Sequence, residues 1–469
     1  MSQGDLENES NDRATERTGN SPEAGGAVAS GTSDRAPESS ATVGPLRVTG
    51  MASGGEGVGR LEDGRVVFVE GGVPGDLVEL TEWTTRKKLA RASIGRLIEA
   101  SPDRTEPQCA HFGSCGGCHW QHIRYEVQLD AKRAMVLNAL ERIGGFEADT
   151  GLGFNLDSAL EIKGSPDPYG YRARARLVES NGGLGYRIRG SREIERIESC
   201  PVLTGAAQET LGQLIRTAAT GEQESTNGEP ETSTRKSRRP KEWIISAGTR
   251  GPAIVQRVRD KREGQKDSEF VTIEVLGEKL RASSNSFMQG NALLWDALAE
   301  EVCRQCSPES EPASGAAAGP SGSPKRFVEL YAGIGFLTIP IARRGFSGVA
   351  IESDRSALSD LAFNLDQSGL TKQIEIVRGR VETRRDLVKR FSKADLLVVD
   401  PPRIGLESSV RKAIASHGPS RVVYVSCDPA TLARDLRVLV AGGYRLSSVC
   451  AMDLFPQTPH VEVIARLDR

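Results

Sequence analysis

From Arg326 to the C-terminus the chain alternates short β-branched runs with helical stretches, and this pattern leaves little freedom in the choice of fold. Phe327–Leu330, Gly348–Glu352, Asp395–Asp400 and Arg421–Val425 are apolar nearly throughout rather than at every second residue. Strands of that kind are buried on both faces, so helices must cover the sheet on both sides. The implied class is α/β, a doubly wound and Rossmann-like parallel sheet, which binds ligands outside the carboxyl ends of its strands. The first run ends in Gly333-Ile334-Gly335 and opens a helix, and glycines there let the backbone approach a nucleotide-like ligand. The next ends in Glu352, at the distance suited to a ribose diol. The third glycine of the dinucleotide fingerprint is missing, which points to S-adenosylmethionine rather than NAD. The run closing at Asp400 sets a carboxylate on the same edge, available to a cofactor amine or to a bound base.

The last run leads into Ser426-Cys427-Asp428-Pro429, with Asp428 and Pro429 reading as N-cap and first residue of a helix. Cys427 thus stands at a helix N-terminus, where partial positive charge favours a thiolate. A free cysteine at such a place is otherwise an inert, buried one.

The rest of the chain divides by texture. With 469 residues, 26% of them charged and a formal net charge of −2, it is long enough for several domains and too near neutrality for a uniformly basic nucleic-acid binder. Any RNA or DNA contact must come from local patches. No run is long enough to span a membrane and no signal peptide is evident, which gives the expectation of a soluble, cytoplasmic protein. Residues 1–43 read as a disordered tail. Residues 44–101 hold glycine-punctuated strands, the expectation being a small β-barrel with a basic edge at Arg86-Lys87-Lys88 and Arg91. Gly54–Gly59 looks like a phosphate loop, but no helix follows it.

Residues 102–281 read as a central β-rich domain carrying a low-complexity insertion at 217–241. Eight cysteines are too few for a disulfide scaffold in this length, yet Cys109, Cys115 and Cys118 fall within ten residues, with Cys200 in reach as a fourth thiolate. A metal or cluster site follows, with zinc an alternative because His111, His119 and His122 lie nearby. A helical run covers Tyr125 to Ile143. Alternation sets Arg172, Arg174 and Arg176 on one strand face, able to hold phosphates or merely to face solvent. Residues 282–469 form the last domain, interrupted by a linker at 307–325 that follows a helix with Cys303 and Cys306 at helical spacing.

Taken in order, Cys109/Cys115/Cys118/Cys200, Ser286-Phe287-Met288-Gln289-Gly290-Asn291, Glu329–Gly335, Asp400-Pro401-Pro402-Arg403, Val425–Asp435 and His460-Val461-Glu462 resemble the RNA uracil-5-methyltransferase family. The resemblance runs from about residue 45 to the C-terminus and is to the branch with an N-terminal TRAM barrel (OB-like) and an iron-sulfur cluster. It implies a [4Fe-4S] cluster on the four cysteines, Cys427 as nucleophile and Glu462 as base. It also implies S-adenosylmethionine held by Gln289, Tyr331, Glu352 and Asp400, with Phe336 and Arg380 as further contacts. The substrate implied is RNA, most often 23S rRNA in that branch, with no obligate protein partner. Where the family has Asn this chain has Asp428, whose charge is expected to oppose a thiolate at Cys427. A tRNA substrate, cytosine-5 methylation and a non-catalytic cluster-bearing RNA-binding protein are the alternatives. Cytosine-5 enzymes usually carry Pro before the cysteine, whereas here proline follows at Pro429.

Overall fold

A computed structural model describes residues 43–86, 89–146, 155–180, 183–220, 241–258, 269–307 and 325–469. The tail, nearly all of the insertion at 217–241 and of the linker at 307–325, and Lys87-Lys88 of the basic edge lie outside the described residues. Strands β1 (Val43–Met51), β2 (Gly57–Arg60), β3 (Val66–Glu70), β4 (Leu77–Arg86) and β5 (Leu89–Glu99) close into a barrel in the order β1-β2-β3-β5-β4. Alternate apolar residues fill it, among them Val48, Val67, Val69, Val78, Leu80 and Ala90, each at most 2% exposed. The glycine-rich stretch serves this closure. A Cβ on Gly57 or Gly59 would lie 2.8 Å from the carbonyl oxygen of Gly72 or Arg47.

Next come α1 (Tyr125–Ala139), extended by a π-type turn at Leu140–Gly144, then α2 (Leu156–Ala159) and β6 (Glu161–Lys163). Strands β7 (Arg174–Ser180), β8 (Gly183–Arg187) and β9 (Ile194–Arg196), helix α3 (Gly205–Thr220), and strands β10 (Lys241–Ser246) and β11 (Ile254–Val258) follow. They make a sheet in the order β11-β10-β7-β8-β9 with its own core of Ala175, Leu177, Leu184, Leu211 and Ile245. The alternation on β7 is as read, but the arginines face protein partners. Arg174 donates to the backbone oxygens of Ser284 (2.7 Å) and Ser286, Arg176 to Glu242 (2.9 Å), and Arg172 to the Arg174 oxygen (3.0 Å).

A hairpin of β12 (Phe270–Val275) and β13 (Glu278–Ser283) precedes α4 (Trp295–Cys306), β14 (Arg326–Leu330), α5 (Thr338–Arg343), β15 (Ser347–Glu352), α6 (Arg355–Gln367) and β16 (Ile374–Arg378). Then come α7 (Leu387–Phe391), β17 (Leu396–Val399), α8 (Ser408–His417), β18 (Arg421–Ser426), α9 (Pro429–Ala441), β19 (Arg445–Met452) and β20 (Glu462–Asp468). The large sheet runs β16-β15-β14-β17-β18-β20-β19-β6. Its first five strands are parallel, as the apolar runs require, but β20 enters antiparallel between β18 and β19.

The reading of 102–281 as one domain needs correcting in part. The β6 strand pairs in parallel with β19 at the edge of the large sheet, and Val136, Ala139, Leu140, Leu156 and Leu160 share a core with Leu432 and Leu436 of α9. The β12–β13 hairpin likewise joins the core on the other face of the sheet, with Arg281 bonded to Asp360 at 2.7 Å. Among the described residues no helix is long and apolar enough to cross a membrane.

Helix α1 is fastened to the segment between β19 and β20 by Lys132, which pairs with Asp453, both fully buried. Removing one member of a buried pair strands the other charge. Lys132→Met is therefore expected to lower stability by about 3–5 kcal/mol in urea unfolding, and adding Asp453→Leu is expected to restore much of the loss.

Candidate active site

The strand order reverses between β14 and β17, so the crevice for a ligand opens at their carboxyl ends. Tyr331, just past β14, has a left-handed backbone (φ 65°), as do Gly333 (57°) and Gly335 (91°). A non-glycine residue in that region stores strain, which marks functional turns. Glu352, ending β15, bridges to this turn: its carboxylate accepts from the amides of Gly333 (2.9 Å) and Asp354 (2.7 Å). Across the crevice, Gln289 donates to Asp400 at 3.3 Å. Burial pushes Asp400 up to about 7. Tyr331 donates to Glu382 at 3.1 Å, and Arg380, 68% exposed, stands 3.5 Å from the same carboxylate. Phe336 packs into the core beneath the turn. Gln289, Tyr331, Glu352 and Asp400 thus gather at the switch point, Arg380 stands on its exposed rim and Phe336 below it.

Cys427 follows β18 directly. The β18–β20 register pairs Val425 with Ile464 and Ser426 with Val463, so its next step brings Glu462 opposite Cys427. Thirty-five residues separate them in sequence, and one antiparallel pairing joins them. Burial raises the Cys427 thiol to about 11, helped by the negative charges of Glu462 and Asp400 and opposed by the guanidinium of Arg403. Burial also raises Glu462 well above the carboxylate range, with Asp400 adding to it and Arg403 opposing. Asp428 caps α9 as read, accepting from the Thr431 amide at 2.8 Å. Its charge is turned into the helix N-terminus, and the groups acting on Cys427 are Glu462, Arg403 and Asp400.

Sequence reading missed three supporting residues. Arg403 is the first, held near His460 (3.4 Å) by a turn whose Thr431 hydroxyl and Arg434 guanidinium bond the oxygens of Arg403 and Ile404. Asp435 is the second: fully buried, it accepts from Leu406, Tyr424, Arg411 and Arg434 at 2.7–2.8 Å and so anchors that turn to α9. Glu329 is the third, buried on β14, bonded to Thr338 and pushed up by burial to about 8. A charged residue inside an otherwise apolar run was the available signal for Glu329. The other two depend on contacts across the fold.

The four cysteines lie within electrostatic reach of one another. Cys115 feels the charge of Cys200 and Cys109, Cys118 that of Cys200 and Cys115, and Cys200 that of Cys109. Backbone bonds from Gly116 to Arg187 (3.1 Å) and a bridge between Cys115 and Ile188 seat the cysteine loop on β8. His111 is engaged by Glu195 (3.0 Å) and by the Glu198 amide (3.3 Å). Among the described residues, however, no three His, Cys, Asp or Glu side chains stand in metal-holding geometry.

A family model described as tRNA (Uracil-5-)-methyltransferase matches residues 280–469, and one for the TRAM domain matches residues 42–92. An uncharacterized RNA methyltransferase of Gloeobacter violaceus is 33% identical, over 90% of this chain and 95% of its own length. The 23S rRNA (uracil(1939)-C(5))-methyltransferase RlmD of Pectobacterium atrosepticum is 31% identical, over 88% of this chain and 90% of its own. The chain belongs to the RNA uracil-5-methyltransferase family. Members are S-adenosylmethionine-dependent, and the barrel is a TRAM domain. The tRNA (uracil-54, C5)-methyltransferase of Pyrococcus abyssi, solved with S-adenosyl-L-homocysteine, shares the fold at a TM-score of 0.64 and 24% identity, over 90% of this chain and 99% of that one.

In this methyltransferase the half-buried, desolvated Asp400 is a cost to the fold. Its carboxyl is raised from 3.8 to about 7, so stability is whole at low pH and falls as pH climbs through that interval. Asp400→Asn is expected to raise the melting temperature relative to the parent at pH 8 and much less at pH 4, measured by thermal unfolding at both.

Proposed function

We propose that the enzyme methylates C5 of a uridine in 23S rRNA through a covalent adduct between Cys427 and C6 of the base. The observation that carries this is the β18–β20 register, which sets an acid, Glu462, against a cysteine at the mouth of the crevice. C5 of uracil is too weak a nucleophile to take a methyl group unaided, and addition at C6 converts the ring into an enolate. Cys427 gives up its proton to solvent, its thiolate favoured by the cation of Arg403, and forms the C6–S bond. Bound S-adenosylmethionine supplies the methyl group as an electrophile, and Gln289, Tyr331, Glu352 and Asp400 would hold it, with Phe336 and Arg380 completing its surroundings. Glu462 removes the C5 proton, the C6–S bond breaks, and the thiolate returns. Relatives named for 23S rRNA at about 30% identity support the choice of RNA, and the TRAM barrel supplies a surface to offset the few kcal/mol of turning the base out of its stack.

Cys109, Cys115, Cys118 and Cys200 are assigned to a [4Fe-4S] cluster. Their mutual proximity supports this, and such a cluster would cross-link the cysteine loop to the segment before α3, with no redox step in methyl transfer. Protein purified without air is expected to be brown and to contain iron and acid-labile sulfide. One zinc and no sulfide would overturn the assignment.

Cys427→Ala is expected to lose at least about 1000-fold in methyl transfer, some 4 kcal/mol of barrier, while still binding S-adenosylmethionine in calorimetry. Mapping 5-methyluridine in RNA from cells with and without the gene tests the substrate. A missing methyl group in tRNA rather than 23S rRNA would replace that part of the proposal.

A further inference from the structure

Gln457 lies between β19 and β20 with a left-handed backbone (φ 67°) while only 3% exposed. For a residue with a Cβ that conformation is strained by about 1 kcal/mol or more, and it persists only where the surroundings over-determine it. Here they do. The Gln457 oxygen accepts from the amides of His119 (2.8 Å) and Trp120 (3.0 Å). Its amide donates to Gln128 Oε1 at 3.0 Å, and its side-chain oxygen lies 2.9 Å from Gln128 Nε2. Gln128, on α1 and 1% exposed, also reaches the oxygens of Trp120 (3.0 Å) and Ile123 (2.9 Å) through the same nitrogen. The residues before Gln457 are fixed too: Tyr171 donates to the Pro456 oxygen (2.9 Å) and Lys132 to the Phe455 oxygen (3.1 Å). After Gln457 only Thr458, Pro459, His460 and Val461 remain before Glu462. Thr458 folds back on the Phe455 oxygen at 2.7 Å, so those four residues have little slack.

We propose that Gln128 is a positioning residue for methyl transfer, acting through Gln457 to hold Glu462 opposite Cys427. This rests on Glu462 being the base of the proposed reaction. Two jaws close on Gln457, the Gln128 amide and the His119–Trp120 backbone, and the second directly follows Cys118. The cysteine-rich segment, remote in sequence from the catalytic residues, is thereby tied to the middle of the loop that delivers one of them. Loosening the latch lets Glu462 drift, which slows proton removal and leaves addition and cofactor binding intact. The latch bonds join Gln128, Gln457, His119, Trp120 and Ile123 and include neither Cys427 nor Glu462.

The test uses the full-length protein, S-adenosylmethionine and a 23S rRNA transcript made with either ordinary or 5-deuterated uridine. Gln128→Met keeps the buried volume and removes the hydrogen bonds, and serves where Gln128→Ala folds poorly. The expected result for Gln128→Met is about a tenfold loss of turnover, equivalent to about 1.4 kcal/mol, an unchanged dissociation constant for S-adenosylmethionine, and a larger deuterium isotope effect than the parent shows. Gln128→Ala combined with Gln457→Ala is expected to be no worse than either alone, because both act through one latch. A slower enzyme with the parent's isotope effect, or effects that add in the double variant, would overturn the proposal. Should the parent itself transfer no methyl group to C5 of any uridine, the assigned reaction fails instead, and amide hydrogen exchange across Thr458–Val463 decides the latch. Faster exchange in Gln128→Met supports it and unchanged exchange refutes it.

Discussion

The antiparallel pairing of β20 with β18 is the contact on which the site depends. A purely parallel continuation would have sent the last strand to the sheet edge, with its first residue at the opposite end from Cys427. Entering between β18 and β19 in the reverse direction, β20 instead starts where β18 stops. Its own side chains are buried almost to the end, so a one-residue slip would bring Val463 to the place of Glu462 and turn every side chain over. Core packing and catalytic geometry are therefore specified by the same hydrogen bonds. The loop that feeds β20 is clamped accordingly, by α1 from one side and by the cysteine-rich segment from the other.

Electrostatics at this edge run against stability. Glu329 and Glu462 are buried acids and Asp400 a half-buried one, desolvation resists the ionisation of all three, and Cys427 is a thiol raised by the same cause. Arg403 is the cation that opposes the acids at both Cys427 and Glu462. A resting site of this kind holds protons that a bound substrate and a cationic cofactor would help to release. The strained backbones of Tyr331 and Gln457 fit the same picture, each lying on a loop that presents functional groups, Tyr331 tied to Glu382 and Gln457 pinned by several bonds.

Much of this was legible in the sequence because it is local. Apolar runs announced the inner strands, the Asp428-Pro429 pair announced the start of α9, and the paired glycines announced the turn after β14. What escaped the reading was long-range. Nothing in Glu161–Lys163 signals that three residues will extend a sheet made almost wholly of chain 160 and more residues away. Alternation holds for Arg174 and Arg176 on β7, whereas Arg172 precedes the strand and lies beside Tyr186, Cys118 and Cys200, and period alone does not say that Ser284, Ser286 and Glu242 will meet the other two. The charge of Asp428 looked adverse in one dimension and is harmless in three, since its carboxylate points at the Thr431 amide. Gln128 and Gln457 are polar residues in ordinary-looking stretches, and only the fold joins them.

The division of labour between Cys427 and Glu462 is the central claim, and a trapped adduct tests it most directly. Glu462→Gln protein incubated with methyl-labelled S-adenosylmethionine and 23S rRNA, then denatured and run on a gel, should carry label in a slow-migrating RNA–protein band. That band should vanish when Cys427→Ala is added. Normal turnover by Glu462→Gln with no such band would contradict the account.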